Sequence, residues 1–232
     1  KRKKLRRDSS FKPEEGAAVE GALLGLLALL LAFTFSMSAD RFEERRSIVI
    51  DEANGITSVI HNADLYPDST KKELRSYLKQ YVEARIHYFD AGTNRKKIGA
   101  ALKTTKMLQK KLLGIVAADA QDKQYMVRAQ LMIPALHALH EDVNIREDLK
   151  VAQVPVLVYS LLIILCFTAS FMVGYKQPEK KMDRTMTTIF ALMTSLAIYL
   201  ILDLDRPRSG LITNYLANKE INDLRSLFSA DE

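Results

Sequence analysis

The amino-acid sequence predicts an all-α integral membrane protein. Three transmembrane helices are visible, with room for a fourth upstream, and a bundle of long helices is inserted between the first two. Three observations lead there. Hydrophobic residues, 48% of the 232, concentrate in three runs at 17–39, 154–173 and 187–202, and the charged 27% fill the rest. Each run approaches the roughly 20 residues that a helix needs to cross a bilayer, the third being the shortest. Between the first two runs, apolar side chains recur every three or four residues, with no strand-like alternation of any length.

Residues 1–16 read as a basic cytoplasmic tail. Within residues 1–12, Lys1, Arg2, Lys3, Lys4, Arg6, Arg7 and Lys12 stand against Asp8 alone, a charge of +6 that equals the net charge of the whole chain. A basic tail can bind nucleic acid. Beside a spanning helix it reads instead as an anchor held by anionic membrane lipid, and no nucleic-acid partner is expected. The chain starts at Lys1 and not Met, which predicts processing or a missing piece upstream.

The first span, 17–39, is too long for a cleavable signal, and Glu43, Glu44, Arg45 and Arg46 follow it where a small-residue cleavage site would lie. It carries Gly21, Gly25, Ala28, Ala32 and Ser36 at spacings of three or four. Small residues so spaced let helices approach closely in lipid. They also leave room along a pore, so packing and pore lining both remain open.

Residues 40–150 read as a helical extramembrane domain. The first helix should run on from Arg41 to Leu65, with no break before Gly55 and Pro67. Thr70-Lys71-Lys72-Glu73 matches a capping box, and Leu74, Leu78, Tyr81, Arg85 and Tyr88 follow at helical spacing. Asp90-Ala91-Gly92-Thr93-Asn94 breaks the chain. Ile98, Leu102, Thr105, Leu108, Leu112 and Ile115 mark a further helix, and a last one is expected over about 124–140, bent near Pro134.

The second span, 151–174, holds Cys166, the one cysteine, so no intrachain disulfide can form. A loop at 175–186 carries Lys176, Lys180, Lys181 and Arg184 against Glu179 and Asp183. The third span, 187–204, leads into a C-terminal tail, 205–232. With three spans, tail and loop share a side. Both are positive, which puts them in the cytoplasm and puts 40–150 and 205–232 outside.

That topology sets two charge clusters on one side, Asp40, Arg41, Glu44 and Arg45 after the first span and Asp203, Asp205 and Arg206 at the end of the third. An unpaired charge at a membrane exit costs several kcal/mol, roughly, so the clusters should pair. Arg206 should bond Asp40 or Glu44, and Asp203 or Asp205 should bond Arg41 or Arg45. Pro207 would stop the helix and Gly210 would let the chain turn back.

Two other groups bear on chemistry. Arg95, Lys96, Lys97, Lys103, Lys106, Lys110 and Lys111 run with no acid from Thr93 to Ala118. On a solvated face they are unremarked charges. In a ring of subunits, Lys96, Lys103, Lys106 and Lys110 would form a patch that attracts anions. His137 and His140, at i and i+3 with Glu141 beside them, have the spacing of a metal pair. His61 and His87 are isolated, so a polar helix face is the simpler reading and no metal or cofactor is expected. No phosphate-cradling glycine loop or nucleophile elbow is present, and no enzyme is expected.

The stretch from Ala28 through Ser38-Ala39-Asp40-Arg41-Phe42-Glu43-Glu44-Arg45-Arg46, then Asp51-Glu52-Ala53-Asn54-Gly55-Ile56, resembles the bestrophin-like domain family of bacterial membrane proteins. So do Tyr81-Val82-Glu83-Ala84-Arg85, Ile133-Pro134-Ala135-Leu136 and the segment 203–212. The resemblance covers nearly the whole chain. It implies a multi-pass protein of the bacterial inner membrane, often with one more upstream span, and kinship to pentameric anion channels. The expectation is a homo-oligomeric passive ion channel, with anions favoured. The rival is a non-conducting adaptor or stress-response component whose extramembrane helices bind a partner.

Overall fold

A computed structural model describes residues 13–122, 126–149, 153–175, 184–206, 212 and 215–231. Among these residues every regular element is helical: α1 (Pro13–Ala63), α2 (Asp68–Asp90), α3 (Arg95–Asp119), α4 (Met126–Leu149), α5 (Val156–Tyr175), α6 (Arg184–Asp205) and α7 (Tyr215–Asp223), then a 3-10 stretch, Leu224–Asp231. The chain divides into two units, one of Lys1–Ala39 with Val154–Asp205 and one of Asp40–Gln153 with Arg206–Glu232. The expectations for Lys1 to Lys12, for Lys176, Lys180 and Lys181, and for Pro207 and Gly210 fall outside the described residues.

The first unit turns its apolar side chains outward. Leu157 is 80% exposed, Phe167 74% and Phe171 69%, while the buried cluster among the described residues is small: Leu27, Leu162, Leu165 and Ala169, with Val154, Ile201 and Leu204 also buried. Large apolar patches on a surface belong against another apolar phase, and helices are what that phase permits because they satisfy their own backbone. Two helices are long and apolar enough to cross a membrane, within Ala18–Ala63 and Thr187–Asp205, while the apolar part of α5, Val156–Met172, is shorter. The three expected runs are therefore all helices, two of them of spanning length.

Helices α5 and α6 are tied at one end. The Asp205 carboxylate accepts from the Val154 backbone N–H at 3.1 and 3.2 Å and from the Tyr159 hydroxyl at 3.0 Å. Val154 lies just before α5 and Asp205 closes α6, so the end of one helix meets the start of the other. Pro155 has no N–H to offer there, and the carboxylate serves the donor that remains.

The second unit has a conventional core. Buried side chains recur along α1 at Val49, Ala53, Ile56, Ile60 and Ala63, and meet Leu74, Leu78 and Tyr81 of α2, Leu108, Leu112 and Val116 of α3, and Met132, Leu136 and Leu139 of α4. The segment read from sequence as a tail enters this core through Ile221, Leu224 and Phe228. Arg225 also binds Glu83 through two bonds of 2.7 Å, and Arg75 donates to the Leu227 carbonyl at 2.6 Å.

Two local expectations need correcting. Helix α2 starts at Asp68 behind Pro67, with no side-chain cap, so Thr70 lies inside its first turn and the capping box does not form. The extended φ/ψ of Pro67, −58° and 153°, already sets the entry of the chain. Helix α4 runs to Leu149, well past His140, with Pro134 inside it. The break between α2 and α3 is as expected: Gly92 takes φ 52°, open to glycine without strain, and the Asn94 side chain caps α3 by accepting from the N–H groups of Lys96 and Lys97.

Candidate functional site

The most tightly built polar centre lies in the second unit. Glu52 falls on the buried seam of α1 between Val49 and Ile56, and Arg85 on the buried stripe of α2; both are 0% exposed. Arg85 grips the carboxylate with two N–H groups, Nε to Oε1 and Nη2 to Oε2, the latter at 2.9 Å. From α4, Arg146 Nη1 donates to the same Oε2 at 2.8 Å. Aromatic rings cover both cations: Tyr88 lies 4.4 Å from the Arg85 guanidinium, and Phe89 3.8 Å from that of Arg146. The Tyr88 hydroxyl donates to Glu147. One carboxylate thus joins α1, α2 and α4.

Burial pulls the Glu52 carboxyl up, but the two guanidiniums outweigh it and hold it below the usual carboxylate range. Burial would favour a neutral Arg85, and the Glu52 carboxylate reverses that, leaving it more firmly protonated than usual. Arg146 is brought down to about 10 by burial, with Glu52 opposing, and remains a cation at neutral pH. Asp142, half-buried on α4, is pushed up to about 6, first by burial and then by the charges of Glu52, Asp51 and Glu141. The arrangement fastens three helices together through one carboxylate.

The residues singled out from sequence are placed as follows. Gly21, Gly25, Ala28, Ala32 and Ser36 are all exposed, and a Cβ added at Gly21 or Gly25 would meet nothing within 4 Å. At Gly21 and Gly25 the stripe therefore has no close neighbour among the described residues, while α1 packs in its unit through Leu27 and its neighbours. Lys96, Lys103, Lys106 and Lys110 are exposed along α3. In the juxtamembrane clusters Arg45, Asp203 and Asp205 are buried, Arg41 is half-buried, and Asp40, Glu44 and Arg206 are exposed. The Asp205 partners, Val154 and Tyr159, are ones the sequence did not point to.

His137 is exposed, and the His140 Nδ1 lies 2.9 Å from Gln109 Oε1. No group of three or more metal-ligating side chains occurs among the described residues. The first unit also carries an open hollow of about 360 Å³ whose lining includes Leu27, Cys166, Ser170, Thr187, Thr194 and Ser195.

The family profile of the Bestrophin-like domain matches residues 18–213, well over half of the chain. The chain belongs to the bestrophin-like family. No curated protein and no solved structure matches it. The matched range takes in both units, including the buried Glu52, Arg85 and Arg146 and the small-residue face of α1.

Sequence reasoning placed Glu52 and Arg85 inside family-like motifs but gave them no role. The signal was available, since an arginine in the stripe Leu74, Leu78, Tyr81, Arg85, Tyr88 must be buried with a carboxylate or not buried at all. Arg146 was missed because it lies beyond the expected end of its helix.

Proposed function

We propose that the protein is one subunit of a homo-oligomeric, passive ion channel of the bacterial inner membrane, with anions favoured and no enzymatic role. The observation that carries this reading is the open face of α1. Gly21, Gly25, Ala28, Ala32 and Ser36 lie exposed on a helix of spanning length, and among the described residues nothing lies within 4 Å of a Cβ added at Gly21 or Gly25. Polar or small residues facing outward on such a helix call for a partner helix or an aqueous path. Family membership favours a path, and the acid-free, exposed face of α3 supplies positive potential that would raise the local anion concentration.

The fold supports the proposed topology by parity. The shared core of residues 40–153 and 206–232 supports a reading with both on one side of the membrane. The chain between them then crosses an even number of times, and α5 and α6 cross together or not at all. Crossing together fits the tie between Asp205 and Val154. The positive-inside rule puts residues 1–16 and 175–186 in the cytoplasm, and 40–150 with 205–232 outside.

The second reading, a non-conducting adaptor, draws on the same exposed α3, which a partner could bind. Reconstitution in liposomes separates the two. Chloride efflux from vesicles holding the purified oligomer supports the channel, and silent vesicles with correctly inserted protein support the adaptor.

A further inference from the structure

Helices α3 and α4 bring together two groups that are far apart in the sequence. A hollow of about 280 Å³ is lined by Lys106 and Lys110 of α3 and by His137 and His140 of α4, with Gln109, Leu113 and Leu136 as its other walls. The lysines are four apart and the histidines three apart, so each pair shares one face of its helix. Gln109, only 8% exposed, fixes one of the rings. Its amide nitrogen donates to the Tyr81 hydroxyl at 3.3 Å and the Leu139 carbonyl at 3.4 Å, which leaves its oxygen to accept from His140 Nδ1 at 2.9 Å. The tautomer follows from that network.

We propose that this hollow binds a phosphate-class oxyanion, either inorganic phosphate or the phosphate of a lipid headgroup. The sign of the charge decides against a metal. Two histidines alone are a partial metal site, but two ammonium groups beside them repel a cation and no carboxylate lines the hollow. These side chains suit an anion with several oxygens. Two lysines act as point charges with rotatable donors, and the His137 imidazole adds a directional N–H group, while His140, its Nδ1–H held by Gln109, walls the space. They converge from two helices on one space, where a halide would use one donor direction at a time. The rest of α3 focuses the field: Lys96, Lys103 and Lys111 are exposed on it, with no acid before Asp119. Static binding here does not require conduction, so it stands or falls apart from the channel reading.

The test uses the full chain purified in detergent. Phosphate is titrated at constant ionic strength against chloride and followed by the broadening of its phosphorus NMR line. Native mass spectrometry on the same preparation reads retention of phosphatidylglycerol over phosphatidylcholine. Broadening by free phosphate assigns the site to the soluble anion, and selective phosphatidylglycerol retention assigns it to a headgroup. In either arm Lys106→Gln with Lys110→Gln should weaken binding by about tenfold or more, and His137→Ala by a smaller factor. Lys96→Gln with Lys103→Gln removes the same charge from the helix outside the hollow and should change binding by less than about twofold. Equal weakening by the two lysine pairs would reduce the effect to diffuse charge and overturn the site. So would phosphate no better than chloride together with no lipid preference, or zinc binding abolished by His137→Ala.

Discussion

Glu52 holds two buried cations at once, so its removal is harsher than the loss of one hydrogen bond. Glu52→Ala leaves Arg85 and Arg146 facing each other without a carboxylate. Breaking a buried pair in this way costs about 3–5 kcal/mol, whereas apolar replacement of a whole group can be neutral. Denaturant unfolding of the purified protein should show a loss of that order, with Arg85→Lys intermediate because a point charge cannot grip both oxygens. A loss under about 1 kcal/mol for Glu52→Ala, the scale of an exposed pair, would show that the centre is not closed. The two acids of this region respond to pH in opposite directions. Glu52 is depressed, so its contribution is present above its unfolded value and is lost as acid brings the pH down through its folded pKa. Asp142 is raised from 3.8 to about 6, so the folded state holds its proton more tightly. Its favourable contribution is full below the unfolded value and is lost as the pH rises through about 6. Asp142→Asn should therefore stabilise the protein near pH 8 by about 1 kcal/mol, after solvent screening of a half-buried group, and have no effect near pH 4. Equal stabilisation at both values would assign the effect to packing and not to charge. Legibility was mixed at this scale. Arg85 stood in a buried stripe for anyone to see, but its partners sit 33 positions away at Glu52 and, through Glu52, at Arg146 on a third helix. Periodicity gives the faces of helices and not their pairing.

Among the elements, those with strong apolar periodicity were legible to within a few residues. Helix α3 follows the expected pattern, and the Gly92 turn and Asn94 cap lie where the sequence put its break. The errors occurred at ends. Helix α2 begins at Asp68 because Pro67 sets the entry, and the Thr70–Glu73 match had no structural role. Helix α4 outran His140 because Val143 continues its buried face through a polar stretch. The C-terminal segment looked like a tail because its apolar residues, Ile221, Leu224 and Phe228, are few, yet all three are buried. This last point gives the topology a direct test. In intact cells, a thiol reagent that cannot cross the membrane should label a cysteine placed at Lys103 and one placed at Lys219, and should miss one at Lys180. These assays use a Cys166→Ser background so that one thiol is read at a time. Labelling at Lys180 with none at Lys103 would invert the protein. Opposite accessibility of Lys103 and Lys219 would break the parity argument itself.

At the scale of the whole molecule, a helical membrane protein was readable from three apolar runs and a basic tail, because segregated hydropathy survives without any knowledge of packing. What α1 does with its small-residue face was not readable, since both a neighbouring helix and a water path ask for small side chains. Among the described residues the face is exposed, and a Cβ added at Gly21 or Gly25 would meet no neighbour. The central claim is that an oligomer conducts ions along this face. The most direct measurement is a planar-bilayer recording on the purified oligomer, with the wild type beside Gly25→Leu. The account predicts anion-selective currents in the wild type, and currents reduced several-fold or more by Gly25→Leu in an oligomer of unchanged size. An inserted, correctly assembled wild type that carries no current, or a Gly25→Leu oligomer that conducts as the wild type does, would contradict it.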